Sequence, residues 1–176
     1  MITGWCSDWF CVEIVKFKGH KNVKATHRTT IEITREPELT PRGDCIIGVS
    51  ADKGPRDFNP RFKEMIKVPG ATVIALLLTE RGDADFIKGF GDPGLSLSDP
   101  NRIIIRKSSY VAPNTVMVRA SKAARSLNRS LVENLQKECR GLAVFVVIGK
   151  KVEELEEASE VLVSIKDGLI GFRRFS

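Results

Sequence analysis

Two histidines and two aspartates are the residues of this sequence best suited to move protons. His20 follows a glycine in a predicted loop, where an imidazole reaches solvent and titrates near neutral pH. His27 lies on the apolar face of a predicted strand, where a hydrogen-bonded core histidine is the commoner outcome. Asp44 and Asp92 each follow a glycine, which is typical of turns. Each of the four is therefore either a catalytic candidate or an ordinary structural residue.

The run Arg106-Lys107-Ser108 is a candidate anion site. It offers a guanidinium fork, an ammonium group and a hydroxyl, which suit a phosphate or a carboxylate. Because side chains alternate along a strand, Arg106 and Ser108 are expected to share a face while Lys107 points away. With Asp44 and Asp92 they would form a polar cluster at a barrel mouth.

Basic residues also recur along a helix predicted from Ser121 to about Glu138. Its apolar stripe leaves a basic ridge on the opposite side, formed by Lys122, Arg125 and Arg129. Lys53 stands at the position equivalent to Lys122 in an internal repeat described below. The ridge is either a surface that follows a nucleic-acid backbone, extended by Arg61, Lys63 and Lys67 of an earlier helix, or an ordinary solvated helix face.

The sequence predicts no metal and no cofactor. Cys6, Cys11, His20 and His27 are zinc-ligand types, but four, eight and six residues separate them, unlike the tight pairs of structural zinc sites. Four cysteines in a chain of this length do not indicate a disulfide framework, and Cys45 is interpreted as a small buried hydrophobe. The glycine-rich run from Gly89 to Gly94 does not fit a dinucleotide-binding loop, because of its proline and its context.

Composition describes a folded, basic protein of one domain. The 176 residues include 28 basic and 22 acidic side chains, a formal net charge of +6, and 42% are hydrophobic. Residues 151–176 carry four basic and six acidic side chains, so residues 1–150 hold +8. The longest apolar runs, residues 73–78 and 142–148, fall far short of the roughly 20 needed to span a bilayer. With no secretory signal at the N-terminus, these features predict a cytoplasmic protein with a polyanionic partner.

The positioning elements are read from periodicity and turn chemistry. Residues 23–34 alternate and predict a strand that forms a hairpin with residues 45–51, and Asn59-Pro60 starts a short helix. Buried or alternating strands are predicted at residues 71–79, 84–90 and 142–148, with a second hairpin formed by residues 102–109 and 115–120. For the C-terminal part of the chain, the sequence predicts an acidic helix at residues 152–159 and a hairpin formed by residues 161–165 and 169–175.

An internal repeat organises these elements. Residues 49–66 align without a gap to residues 118–135, with identities at six positions. We expect an α+β fold with one core domain, residues 1–150, containing two β-β-α-β units near residues 23–79 and 102–148. The units would close a pseudo-two-fold β-barrel of the swapped-hairpin or cradle-loop type, with an open α+β sandwich as the alternative. Residues 151–176 are expected to pack on this core as a C-terminal extension.

A series of motifs resembles an archaeal family known as domain of unknown function three hundred and seventy-one. The resemblance covers about residues 12–148 and implies an archaeal, cytoplasmic origin and no established activity. The motifs that carry it are Gly19-His20-Lys-Asn-Val23, Thr26-His27-Arg-Thr-Thr-Ile-Glu32, Leu39-Thr-Pro-Arg-Gly-Asp-Cys-Ile46, Gly89-Phe-Gly-Asp-Pro93 and Arg106-Lys-Ser108.

Three functions are compatible with the sequence. The basic core favours binding of RNA or another phosphate-bearing ligand. The second is an enzyme acting on a small anionic metabolite, with His20 and His27 as acid and base and Arg106 as the anchor. The third is a scaffold subunit that binds a protein partner through the aromatic segment Trp5, Trp9 and Phe10.

Overall fold

The computed structural model describes residues 4–149 as nine strands and two short α-helices, each helix preceded by one 3-10 turn. The α+β class predicted from the sequence is confirmed. The acidic helix and hairpin predicted for residues 152–175 lie outside the described residues. The strands are β1 Gly4–Cys6, β2 Phe10–Lys18, β3 Thr30–Thr34, β4 Ile46–Gly48, β5 Thr72–Thr79, β6 Ala84–Phe90, β7 Arg102–Arg106, β8 Thr115–Met117 and β9 Arg140–Ile148, and the helices are α1 Pro60–Met65 and α2 Arg129–Gln136.

The strands form two sheets. One has five antiparallel strands in the order β1-β2-β9-β5-β6, and the other has four in the order β4-β3-β7-β8. The predicted closed barrel is wrong for the described residues. Within residues 4–149, isolated bridges rather than a continuous ladder join the sheet edges, at Lys18↔Val49 and Phe90↔Val118. Because β4 and β8 are three residues long, neither extends into a ladder along β2 or β6.

The two predicted hairpins of the smaller sheet are also wrong. β3 runs parallel to β4, and β7 runs parallel to β8, each with a register shift. The connections of residues 35–45 and 107–114 are long enough to carry the chain back before the next strand begins. The antiparallel partner of β3 is instead β7, with Ile31 opposite Ile105 and Ile33 opposite Ile103.

Two predicted elements are shorter than their patterns indicate. The strand expected at residues 23–34 starts only at Thr30, because Ala25 adopts a left-handed φ of 49° and residues 27–30 form a turn. The helix expected from Ser121 starts only at Arg129. Leu127 is extended there, with a ψ of 151°, and Asn128 caps the helix by accepting a hydrogen bond from the Ser130 amide.

The main apolar core lies between the two sheets. Alternate residues of β2, β5 and β9 contribute to it from the larger sheet, and the isoleucines of β3 and β7 from the smaller one. Phe62 of α1 and Leu131 and Leu135 of α2 belong to the same cluster, so both helices pack on this side of the five-stranded sheet. A separate apolar cluster lies on the opposite face of that sheet.

Two buried carboxylates fasten the loops before the helices to the larger sheet. Glu13 on β2, only 2% exposed, forms an ion pair with Lys53 and accepts a hydrogen bond from the Asn59 amide. Asp85 on β6, 9% exposed, forms an ion pair with Lys122 and accepts from the Asn128 amide at 2.8 Å. Asn59 and Asn128 are the N-caps of α1 and α2. Each carboxylate therefore holds in place both the loop that contains its lysine partner and the N-terminus of the helix that follows.

Replacing Glu13 with Gln tests this fastening. We expect Glu13→Gln to lower the free energy of unfolding by about 3 kcal/mol, because the mostly buried Lys53 ammonium loses its carboxylate. The measurement is urea unfolding at neutral pH. Asp8→Asn, which breaks the exposed pair between Asp8 and Arg61, is the control and should leave the urea midpoint unchanged. Equal effects of the two substitutions would contradict the role assigned to Glu13.

Candidate anion-binding site

Both histidines are engaged in turns. The Nδ1 atom of His20 accepts a hydrogen bond from the Asn22 amide at 3.0 Å. The Nδ1 atom of His27 accepts from the amides of Thr29 and Thr30 at 3.2 and 3.1 Å. His27 therefore lies in the turn that precedes β3, and its predicted place on the apolar face of a strand is wrong. In both residues, Nε2 is the nitrogen left for other contacts.

The two aspartates also take part in turns. Asp92 Oδ1 accepts from the Gly94 amide at 2.9 Å, the turn geometry that Gly-Asp sequences favour. The Asp44 carbonyl oxygen accepts from the amides of Thr26 and His27 at 3.0 and 3.2 Å, so Asp44 lies beside His27. Within residues 4–149, no hydrogen bond or ion pair joins either histidine to a side chain of Asp44 or Asp92.

Three of the predicted phosphate ligands, Lys53, Lys122 and Arg129, make structural contacts within the protein. Lys53 and Lys122 pair with the buried carboxylates Glu13 and Asp85. Arg129, in the first turn of α2, donates to three backbone carbonyls, those of Leu127, Ala25 and Ala124. The predicted basic ridge along one helix is therefore wrong, since Lys122 and Arg125 both precede α2.

Arg106 is fixed at the end of β7. Its Nε donates to Thr115 Oγ1 at 2.9 Å, one terminal nitrogen donates to Asn114 Oδ1 at 3.2 Å, and its guanidinium lies 4.9 Å from the centre of the Tyr110 ring. Ser108 lies beyond the last residue of β7, in the following turn, where its Oγ accepts from the Tyr110 amide at 3.3 Å. Tyr110 itself is 63% exposed.

Backbone pairing brings together four basic residues that are distant in sequence. The Arg125 amide donates to the His27 carbonyl at 3.0 Å, and the Lys107 amide donates to the Thr29 carbonyl at 2.9 Å. The Arg119 amide donates to the Ser108 carbonyl at 2.9 Å. We call the exposed set Arg28, Lys107, Arg119 and Arg125 the basic strip.

The side chains of the basic strip are available to a ligand. Within the described part of the chain, Arg28, Lys107 and Arg125 make no side-chain hydrogen bond or ion pair. The Arg119 guanidinium lies 5.0 Å from the centre of the Phe90 ring, a contact that leaves its N–H groups free to donate. Asp44 is the carboxylate that the backbone places near this set, beside His27.

The same backbone arrangement occurs a second time with different charges. The Arg56 amide donates to the Asp99 carbonyl, the Arg35 amide to the Asn101 carbonyl and the Ser50 amide to the Glu36 carbonyl, at 3.0, 2.9 and 3.1 Å. We call this set, together with Asp57, the acidic counterpart. Its two arginines face three carboxylates, one net negative charge, and Arg35 pairs with Asp57 at 3.4 Å.

This comparison separates structure from function. Pro100 and Ser50 of the counterpart stand at the positions equivalent to Arg28 and Arg119, so the fold does not require the positive charges of these two arginines. Lys107 and Arg125 correspond to Arg35 and Arg56, which are also basic. The sequence drew attention to Arg125 and to the run containing Lys107, but not to Arg28 or Arg119. No local spacing points to those two arginines, because pairing between distant segments places them.

The thiol of Cys45 is the remaining group with distinctive chemistry. The sequence predicted a buried apolar side chain here, but Cys45 is only half-buried and its thiol hydrogen-bonds to a carboxylate. Cys45 Sγ donates to Glu32 Oε2 at 3.6 Å. Burial raises the pKa of the Cys45 thiol to about 12, and the negative charge of Glu32 adds to the effect. Burial also raises the pKa of Glu32. Cys45 is therefore a protonated, half-buried thiol rather than a nucleophile.

Residues 4–149 contain one disulfide, no metal-binding cluster and no membrane-spanning helix. Cys6 and Cys11, which the sequence did not pair, form a disulfide between β1 and β2. In this part of the chain, no three His, Cys, Asp or Glu side chains are grouped so that they could hold a metal ion. None of its helices has the length and apolar character required to cross a membrane.

The fold and its exposed basic strip define a two-sheet α+β protein with a candidate anion-binding surface. The signature of the family described as Domain of unknown function (DUF371) matches residues 15–148, and the chain belongs to this family. It is similar to an uncharacterised protein of the archaeon Methanocaldococcus jannaschii, with 46% identity over 135 residues that cover 77% of this chain and 98% of the relative. The family resemblance inferred from the motifs is confirmed.

The reactivity of Cys45 tests the electrostatics of the buried thiol. A shift in its pKa from 9.0 to about 12 means about a thousandfold less thiolate near pH 8, so we expect very slow alkylation by iodoacetamide. Glu32→Gln should speed the reaction, since removal of the negative charge lowers the pKa of the thiol. Mass spectrometry of the Cys45 peptide gives the rate.

Cys139 provides the internal control for this measurement. Burial raises the pKa of its thiol as well, but Glu32 is not among the groups that influence it. Its alkylation rate should therefore be the same in the wild type and in Glu32→Gln. Rapid alkylation of Cys45 in the folded wild type near pH 8 would show that the assigned environment is wrong.

Proposed function

We propose that this protein binds a phosphate-bearing ligand through the basic strip, and that the ligand is RNA, encountered in the cytoplasm. One observation carries the proposal. Two surfaces with the same backbone contacts differ in charge. The one formed by Arg28, Lys107, Arg119 and Arg125 has four cations, and Arg28 and Arg119 stand where the counterpart has the uncharged Pro100 and Ser50. Exposed cations of this kind bind phosphates by displacing condensed counterions.

Chemistry next to the basic strip favours RNA over a simple anion. Tyr110 is 63% exposed and lies over the Arg106 guanidinium, two residues beyond Ser108. An exposed aromatic ring beside phosphate-binding cations is the arrangement on which unpaired bases stack. Arg106 contributes by holding the ring, and its own orientation is fixed by its hydrogen bonds to Asn114 and Thr115. A single-stranded RNA with backbone phosphates on the basic strip and a base on Tyr110 fits these features.

We also propose that the two halves of the core arose by internal duplication. The paired contacts of Glu13 and Asp85, and those of Arg56 and Arg125, support this interpretation. Equivalent strand positions differ by 72 in sequence number, as in Glu13 and Asp85, and equivalent loop positions by 69, as in Lys53 and Lys122. After duplication, one copy would have kept or gained its cations while the other acquired carboxylates.

The enzyme hypothesis gains no specific support. His20 and His27 use Nδ1 as an acceptor in separate turns, and Asp92 is occupied by its own turn. A catalytic pair would need a histidine within hydrogen-bond reach of a second titratable side chain. Acid-base roles for these residues stay predictions from the sequence.

Salt-dependent RNA binding tests the proposal. The triple variant Arg28→Gln/Lys107→Gln/Arg125→Gln should bind a short fluorescent single-stranded RNA about tenfold more weakly or worse near physiological salt. The slope of log affinity against log salt should fall by about one for each phosphate contact removed. Fluorescence anisotropy over a salt series gives both quantities.

A matched variant controls for net charge. Lys21→Gln/Arg81→Gln/Lys137→Gln removes the same charge from other exposed positions and should bind RNA nearly as well as the wild type. Tyr110→Ala should weaken RNA binding by about 1–3 kcal/mol and leave binding of inorganic polyphosphate unchanged, because only RNA has bases to stack. Equal losses in the two triple variants, or RNA binding that does not respond to salt, would overturn the proposal.

A further inference from the structure

The five-stranded sheet has a second apolar face, directed away from the four-stranded sheet. Side chains alternate along each strand, and the set that does not enter the main core forms a continuous apolar surface across three neighbouring strands. We call this surface the outer face. Its members are Phe10, Val12 and Ile14 on β2, Leu142, Val144, Val146 and Ile148 on β9, and Ile74, Leu76 and Leu78 on β5.

The centre of the outer face is covered. Val12 is 0% exposed, and Val144 and Val146 are each 1% exposed. A sheet face open to water leaves its side chains accessible from above, so burial this complete requires atoms over the sheet. Neither α1 nor α2 contributes to the outer-face cluster, and of the described residues outside the sheet strands only Trp9 packs there, beside Trp5 of the edge strand β1. Most of the cover must come from elsewhere.

The chain leaves β9 at the edge of the outer face. Ile148 is both the last residue of β9 and a member of the outer face, and the next amide, that of Gly149, donates to the Trp9 carbonyl at 3.0 Å. Residues 150–176 therefore start at the rim of this face. A nine-residue strand spans about 30 Å, so 27 residues are long enough to cross the face and return.

The composition of residues 150–176 suits the outer face. Residues 161–175 contain eight aliphatic or aromatic side chains that could pack on it. Residues 153–160 contain five glutamates, and the basic side chains of Lys16, Lys18 and Lys88 lie on the strands at the borders of the face. The apolar part of the segment would match the hydrophobic centre of the outer face. The acidic part would match the basic residues at its border.

The family comparison shows that this segment is an addition to the common core. The family signature ends at residue 148, and 135 residues of this chain account for 98% of the Methanocaldococcus jannaschii relative. β1 and Trp9 also lie outside the signature, which begins at residue 15. The N-terminal addition thus packs on the same face from which the C-terminal segment departs.

We infer that residues 150–176 dock on the outer face of their own chain and cover its apolar side chains. With the C-terminal segment in place, a second copy of the chain does not pack on the outer face. The inference is independent of RNA binding, because the basic strip is formed by other segments, at residues 27–29, 107–108, 119 and 125.

Site-specific photo-crosslinking in the full chain tests the inference. Leu76→p-benzoylphenylalanine places the probe on the half-buried part of the outer face, and Lys137→p-benzoylphenylalanine places it at the end of α2 as the control. After irradiation of a mixture of light and isotopically heavy chains, we expect the Leu76 probe to link to peptides from residues 150–176 of the same chain. The control probe should give no such link.

Crosslinks between light and heavy chains, or Leu76 crosslinks that exclude residues 150–176, would overturn the inference. A second measurement guards against a perturbing probe. Leu76→Glu should lower the urea midpoint of the full chain strongly if the face is covered. Phe86→Glu, opposite Leu76 on β6 at the 53% exposed border of the same face, should change the midpoint little. Tolerance of Leu76→Glu equal to that of Phe86→Glu would contradict docking.

Discussion

The positions of both exposed surfaces depend on carboxylates buried at the edges of the larger sheet. Asp85 holds Lys122 and the amide of Asn128, and so fixes the loop that contains Arg125. That loop donates to the turn at His27, which positions one end of the basic strip. Glu13 does the same for the loop that contains Arg56 in the acidic counterpart. A buried charge needs its partners in fixed positions, so these carboxylates set the geometry of the loops they hold.

The matching backbone contacts of the two surfaces let their side chains vary at little structural cost. Backbone hydrogen bonds define both the basic strip and the acidic counterpart, so the side chains that point outward are free to differ. In the counterpart, Asp57 and Asp99 stand where the basic strip has Ser126 and His27. One half of the core therefore presents a cationic surface while the other is close to neutral. The apolar outer face belongs to the larger sheet and is formed by other residues.

Local signals in the sequence predicted the elements that depend on local physics. The apolar run of β5, the bounds of β6 and the Asn59-Pro60 start of α1 were all readable. The late start of β3 was not, because Ala25 adopts a left-handed conformation that no glycine signals. The parallel pairing of β3 with β4 was missed because hairpin prediction assumes that consecutive strands turn back on each other.

The candidate site was predictable only in part. Lys53 and Lys122 were noticed because they match in the repeat, and the match reflects their structural ion pairs. Arg28 and Arg119 were missed because contacts between distant segments bring them to the basic strip.

The most direct test of RNA binding by the basic strip is an amide-resolved magnetic resonance titration of the isotope-labelled chain with a short single-stranded RNA. Amide shifts at residues 27–29, 107–110, 119 and 125 are predicted, with none at 35–36, 50, 56, 99 and 101. Equal shifts at both surfaces, or none at the first, would contradict the account.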